Sequence, residues 1–375
     1  MKNQIVRFSS IESLRAWMAW WVVIGHALHL GGIHANNYDS QVISLFLKLL
    51  GRGSTAVNVF ILVSGFVICH LVIVKRESYG KYITRRALRI FPIFIFCVLL
   101  ALASQTLYFE AYTLNDWVFR SEMRIARINA ESDNFISHLL LHLTMLHGVL
   151  PDSLLPFSSS TFLTPAWSLS LEWQFYLTAP LTIFALSRNA IAALGTAAFL
   201  LTLTSLFDSG ALGVWRYPSV LPQAYPHFII GICARFLLHS DQPQSHRLLW
   251  LAILLVSICW ADLLAVVIWI PFYAIIMIES HGYQVTNYWI KLVVRLVALN
   301  QHLMTLGKWS YSSYLIHIPV FSIIVGAYPL ITGEALSQEM SWVLITVAVF
   351  LTVPFSWLLY KYIEVPFIRM GKRML

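Results

Sequence analysis

The chain is poor in charge. Only 11% of its 375 residues are Asp, Glu, Lys or Arg, against about 25% in soluble domains. A water-facing surface cannot be built from so few, and the mean hydropathy of +0.72 agrees. Cysteine is scarce too. Cys69, Cys97, Cys233 and Cys259 all lie in apolar stretches without metal-ligand spacing, so buried free thiols are expected. Short alternating polar and apolar strands are missing, which argues against a membrane β-barrel. The opening "MKNQIVRFSS" lacks a signal peptide's cleavage pattern, and the apolar run after it is too long for a signal core. No internal repeat of the transporter kind is visible.

What is present are long apolar runs. They predict an all-α polytopic transmembrane bundle in one domain, residues 1–375, integral to a membrane and expected in the bacterial inner membrane. About ten spans are expected: 11–30, 54–74, 88–109, 166–186, 190–207, 222–239, 247–261, 262–280, 309–329 and 340–362. Orientation follows from the cations. With both termini cytoplasmic, only Lys48, Arg52, Arg120, Arg124, Arg127 and Arg216 of the 25 Lys and Arg fall outside. Lys2 and Arg7 join those inside. The net charge of +8 is therefore read as topology bias, with membrane lipid as partner and no nucleic acid. Residues 41–50 and 288–299 are too short or too charged to span and are expected along the surface. Residues 134–150 are placed on or partly in the outer side.

The first span, "SLRAWMAWWVVIGHAL" (13–28), keeps two costly residues, Arg15 and His26. Eleven residues at 100° each end about 20° from three whole turns. Both side chains share a face, roughly 16 Å apart along the axis. Arg15 would sit near the cytoplasmic edge and His26 near the outer edge. Either can be a snorkelling or hydrogen-bonded packing residue, but ionisable groups at membrane depth mark function.

Further stretches join them: Glu12 in "SIESLRAW", Ser64 in "NVFILVSGFVI", the cluster "YITRRALRIFP", Glu172 in "PAWSLSLEWQFYLTAP", His317 in "SYSSYLIHIPV", and Glu364 in "YIEVPF". In this order they resemble the acyltransferase family 3 membrane proteins, which include bacterial O-acetyltransferases of surface sugars. The resemblance runs from about residue 9 to residue 370. It implies a ten-span bundle, a cytoplasmic acyl-CoA donor and a hydroxyl acceptor, often at the outer face. The family's first-helix arginine and histidine match Arg15 and His26. Its acidic residue, usually aspartate, matches Glu12. Ser13 and Ala16 stand where the family commonly has glycine. The extracellular hydrolase-like domain of some relatives is not expected.

Acyl transfer to an alcohol needs a base, and imidazole titrates near neutrality. His26 is the candidate, and His29 is expected to be an interface residue. Glu12 is about 21 Å along the helix from His26 and cannot orient it. Glu172 lies about six residues below the outer start of its span and His26 about four below the outer end of its own. That depth match makes Glu172 the candidate partner, although a packing role fits equally. The donor's phosphates call for Arg15, Arg85, Arg86 and Arg89, with Glu12 holding Arg15. Trp167 and Tyr176 could contact a sugar acceptor. Ser64, His317 and Glu364 are expected to support the bundle. His138, His142 and His147 lack a third ligand fixed by spacing, so no metal is expected and the three are read as interfacial. No permanently bound cofactor is expected; acetyl-CoA is the donor substrate and an envelope glycan or lipid-linked sugar the acceptor. The competing readings are a glycan or lipid flippase without chemistry, and an acyltransferase with a small macrolide-like acceptor.

Overall fold

The computed structural model describes residues 8–238, 243–283 and 286–374, and Lys2 and Arg7 lie outside that range. Among the described residues there are helices and connecting loops but no strands. In chain order the α-helices are α1 (Ser9–Leu30), α2 (Gln41–Leu50), α3 (Gly53–Lys75), α4 (Tyr79–Ala103), α5 (Gln105–Tyr112) and α6 (Ser121–Asp133). Next come α7 (Phe135–Leu143), α8 (Trp167–Arg188), α9 (Ala190–Asp208), α10 (Tyr225–Leu237), α11 (Gln244–Ile258) and α12 (Leu263–His281). The chain closes with α13 (Tyr288–Val297), α14 (Gln301–Lys308), α15 (Ser310–Thr332), α16 (Gln338–Leu359) and α17 (Val365–Arg373). A π-turn, Tyr360–Glu364, joins the last two.

Six segments are long and apolar enough to cross a membrane: α3, α4, α9, α12, α15 and the run Gln338–Arg373. Helices α1 and α8 have the length, 22 residues each, but carry the polar residues singled out above. Helices α10 and α11, with 13 and 15 residues, are shorter than the roughly 20 that span hydrocarbon. All ten expected spans are thus centred on a helix, and six meet the criterion of a crossing helix. Proline stands inside α4, α8, α12, α15 and α16. Such prolines are tolerated where neighbouring helices take up the freed backbone groups. Helices α2 and α13 bury none of their residues, as surface-lying segments should.

Helix α15 is the hub. Every residue from Ser310 to Ser322 is buried, so it meets protein on all sides. Its small hydroxyls bond back along the helix, Ser313 to the Trp309 carbonyl at 3.1 Å and Ser322 to Ile318 at 2.8 Å. Glycine sets the tightest crossings. A Cβ on Gly231 of α10 would run into the Leu62 carbonyl of α3, and one on Gly307 of α14 into the Glu12 carbonyl of α1. These contacts need bare backbone, as small residues commonly provide between membrane helices. The second fixes the approach of α14, and hence of α15, to α1.

Residues 155–166 break the expected layout. They make no span, yet Ser158 to Leu163, Pro165 and Ala166 are buried. Helix α8 therefore begins inside the protein, with Trp167 itself only 5% exposed. His138, His142 and His147 are likewise buried rather than interfacial. They bond to backbone or Thr161: His142 to the His138 and Thr161 carbonyls, and His147 Nε2 to the Ala166 carbonyl at 3.0 Å.

Candidate active site

Two cavities open along α1, one near each end. The first, about 400 Å³, is lined by Glu12 and Arg15 of α1, Ser64 of α3, Arg86 and Arg89 of α4, Ser168, Glu172 and Tyr176 of α8, and Tyr311 and Tyr314 of α15. The second, about 290 Å³, is lined by His26 and His29 of α1, Tyr108 and Tyr112 of α5, Arg120, Arg124 and Arg127 at α6, and Pro165, Trp167 and Tyr314. Arg15 and His26 are thus on one helix but in different chambers. Their shared face follows from helical period, and their separation from helical rise.

In the first cavity the Glu12 carboxylate lies 3.7 Å from the Arg15 guanidinium. The Tyr176 hydroxyl donates to Glu172, and the Arg86 guanidinium lies 5.8 Å from the centre of the Tyr176 ring. Arg89 faces Tyr176, Glu172 and Glu364 electrostatically. Glu364 is buried and accepts from the Ser312 hydroxyl at 3.2 Å. The π-turn carries it in from the last helix. Among the described residues neither Arg86 nor Arg89 makes an ion pair. Ser64 Oγ, Ser310 Oγ and Arg86 Nε are buried with no hydrogen-bond partner. Buried polar groups are almost always satisfied, so these three atoms leave hydrogen-bonding capacity facing the cavity.

Arg85 does not join this group. It pairs with Glu77 at 2.5 Å and is absent from the cavity wall. Two adjacent helical positions point about 100° apart, so Arg85 and Arg86 cannot serve one site equally. Arg86 and Arg89, three apart, can.

In the second cavity His26 Nδ1 lies 2.8 Å from His317 Nε2. His317 Nδ1 lies 3.2 Å from the Ser313 carbonyl oxygen. A carbonyl only accepts, so His317 carries its proton on Nδ1 and offers a lone pair at Nε2. His26 must then donate from Nδ1, which leaves its own Nε2 with a lone pair. The chain Ser313–His317–His26 thereby selects the tautomer of a base. His317, expected as a supporting core residue, is placed in direct contact with His26.

The anticipated Glu172–His26 pairing is not formed. Glu172 lines the first cavity and is engaged by Tyr176; His26 lines the second and is engaged by His317. The depth estimate assumed that α8 starts at the membrane edge. It starts instead below the buried 158–166 segment, which carries Glu172 further in. Trp167 sits in the second cavity, stacked on Tyr217 with ring centres 5.6 Å apart, whereas Tyr176 sits in the first. The two residues anticipated for a sugar are therefore in separate chambers.

Val57 and Tyr314 line both cavities and form the partition. The Tyr314 hydroxyl donates to the Pro165 carbonyl at 2.8 Å and meets Ser168 Oγ at 2.9 Å. Pro165 belongs to the second cavity and Ser168 to the first. Tyr314 is one turn before His317 on α15, so the partition and the histidine pair share a rigid support. Sequence reasoning missed this tyrosine and the arginines of α6. The arginines' spacing, 120, 124, 127, places them on one helical face and was the available signal.

A family model described as an acyltransferase domain matches residues 8–361. Acyltransferase MdmB from Streptomyces mycarofaciens is 30% identical over 181 residues, which cover 48% of this chain and 40% of that relative. The match thus spans about two-fifths of the relative's length. No solved structure matches the chain.

Proposed function

The chain belongs to this acyltransferase family, and from that premise we propose that it moves an acetyl group across a membrane-embedded partition. The donor is acetyl-CoA, held in the first cavity on the cytoplasmic side. The acceptor is a sugar hydroxyl of an envelope glycan or its lipid-linked precursor, held in the second cavity on the outer side. The bundle has about ten spans with both termini cytoplasmic, as the cation distribution favours.

The observation that carries this reading is the pair of chambers divided by Val57 and Tyr314, both bearing arginines and only the second bearing a tautomer-fixed histidine. Phosphates of the donor rest on Arg15, Arg86 and Arg89, where charge-assisted hydrogen bonds are strongest. Its flexible arm brings the thioester to the partition. His26 Nε2 takes the proton of the acceptor hydroxyl as its oxygen attacks the thioester carbonyl. The C–S bond breaks as the ester forms, and the leaving thiolate recovers the proton from the imidazolium. His317 holds the ring and accepts from its Nδ1–H throughout. Glu172 belongs to the donor side, where with Tyr176 it positions Arg86 and Arg89.

The test uses proteoliposomes containing the full chain, acetyl-CoA labelled in the acetyl carbon, and glycan acceptor on the opposite face. Label is expected on the glycan, and lost by about 10²–10⁴-fold in His26→Ala. Movement of unmodified glycan without label on any product would refute the reading in favour of a flippase.

A further inference from the structure

The second cavity is strongly cationic, and on the proposed orientation it lies on the side where cations are scarce. Arg120, Arg124 and Arg127 are three of only six Lys and Arg assigned there, yet all three line this cavity. No carboxylate lines it. Among the described residues none of the three makes an ion pair.

Their guanidinium groups rest on aromatic rings instead. Arg120 lies 4.9 Å from the centre of the Phe119 ring, Arg124 4.9 Å from Tyr112 and Arg127 4.9 Å from Tyr108. Arg124 donates to the Phe119 carbonyl and Arg127 to Thr164 Oγ1. Arg127 is only 7% exposed, and its Nε has no hydrogen-bond partner. On α6, Glu122 is exposed and absent from the cavity wall, and Glu131, one turn after Arg127, faces that arginine electrostatically. Glu131 is already bound by the Gln105 side chain and the Phe162 backbone N–H, both at 2.8 Å. It offsets part of the Arg127 charge, while stacking fixes the guanidinium planes but supplies no counter-charge to Arg120 and Arg124. A buried cation with an orphan donor is costly unless an anion completes it.

We infer that the second cavity binds an acceptor carrying a phosphate group, whose oxygens sit on Arg120, Arg124 and Arg127 while a sugar hydroxyl meets His26. The inference rests on the acyl-transfer reading for its meaning but not for its measurement. Three planar forks suit the several oxygens and near-double charge of a phosphate. A single carboxylate would leave two of them unmatched. A basic acceptor, such as an amino sugar on a small macrocycle, would meet three like charges and no carboxylate, so the cavity disfavours it.

Equilibrium binding to the full chain in nanodiscs tests this, with labelled inorganic pyrophosphate as the probe and no donor present. The component of interest is the one that Arg120→Gln and Arg124→Gln alter. Each is expected to weaken it about tenfold, the usual effect of losing one hydrogen bond to a charged group. Both side chains reach the surface or half reach it, so the variants should fold, as melting curves would check. Lys48→Gln, which removes an exposed cation assigned to the same side but absent from the cavity wall, should leave binding unchanged. Undiminished pyrophosphate binding in the Arg120→Gln/Arg124→Gln double variant would overturn the proposal. So would displacement of the probe by glucuronate as effectively as by a hexose 1-phosphate, which would make the site one for carboxylates. Stronger displacement by an isoprenyl-diphosphate hexose than by hexose 1-phosphate assigns the phosphate to a lipid-linked acceptor; the reverse assigns it to a soluble one, and both uphold the site. If the variants lose pyrophosphate but no preparation ever transfers acetyl, the phosphate site stands and the acyl-transfer reading fails.

Discussion

Replacing His317 with leucine removes one hydrogen bond and one instruction. The bond is the 2.8 Å contact from His26 Nδ1; the instruction is the tautomer, passed on from the Ser313 carbonyl. Without an acceptor at Nδ1, the half-buried His26 ring is free to carry its proton on Nε2 or to rotate. A buried donor left without a partner costs about 1–3 kcal/mol. The competent tautomer and orientation lose population by the same energy, which corresponds to a fall in kcat of about 5- to 150-fold. That lies largely below the 10²–10⁴-fold expected for deleting the base itself. Donor KM should be unchanged, because His317 is absent from the first cavity. Labelled acetyl transfer by purified variants measures both parameters, and thermal melting separates a catalytic loss from unfolding. The decisive form is the double variant. If His317 acts only through His26, then His26→Ala/His317→Leu transfers no more slowly than His26→Ala alone. A His317→Leu enzyme within twofold of wild type, or a double variant whose losses multiply, would refute the relay.

The donor cluster should divide cleanly: Arg86→Gln and Arg89→Gln each weaken coenzyme A binding about tenfold, whereas Arg85→Gln, which releases only Glu77, leaves the affinity measured by calorimetry within twofold. Topology is readable by an impermeant thiol reagent in a Cys259→Ser background, since Cys259 is the one exposed cysteine among the described residues. A cysteine at Leu154, 71% exposed, should label from outside and one at Lys372 should not; reversed labelling would invert the bundle. His147, outside the spanning helices, gives a pH signature. Burial lowers its pKa from 6.5 to about 4, so the folded state holds it neutral while the unfolded chain protonates. Its contribution to stability is present above pH 6.5 and is lost as pH falls from 6.5 towards 4, by about 1.4 kcal/mol per pH unit. His147→Gln can still donate to the Ala166 carbonyl but does not titrate. Its melting temperature should therefore fall less than that of wild type over that window, and parallel melting curves would contradict the assignment.

Much of this protein was legible from local rules. Apolar runs at membrane length placed a helix at each of the ten expected segments, because burial of a continuous apolar surface is decided residue by residue. The common face of Arg15 and His26 followed from the helical period, and the joint placement of Arg86 and Arg89 could have followed from the same arithmetic, which sets Arg85 aside. The pairings between distant segments were another matter. His26 and His317 are 291 residues apart, and their contact depends on how closely α14 and α15 approach α1, which the bare backbone of Gly307 sets. Glu172 was assigned to the wrong chamber because its depth was counted as if α8 began at a membrane edge, whereas it begins under the buried 158–166 segment. The segment before it is polar, with four consecutive Ser or Thr at 158–161, and polarity alone reads as surface. Only tertiary packing buried it, by meeting its backbone with partners such as His142 and Glu131. The sequence thus determined which elements exist and which residues are costly to keep in them. The tertiary structure decided which of those residues share a cavity, since sharing depends on where each helix begins and on how closely its neighbours can approach.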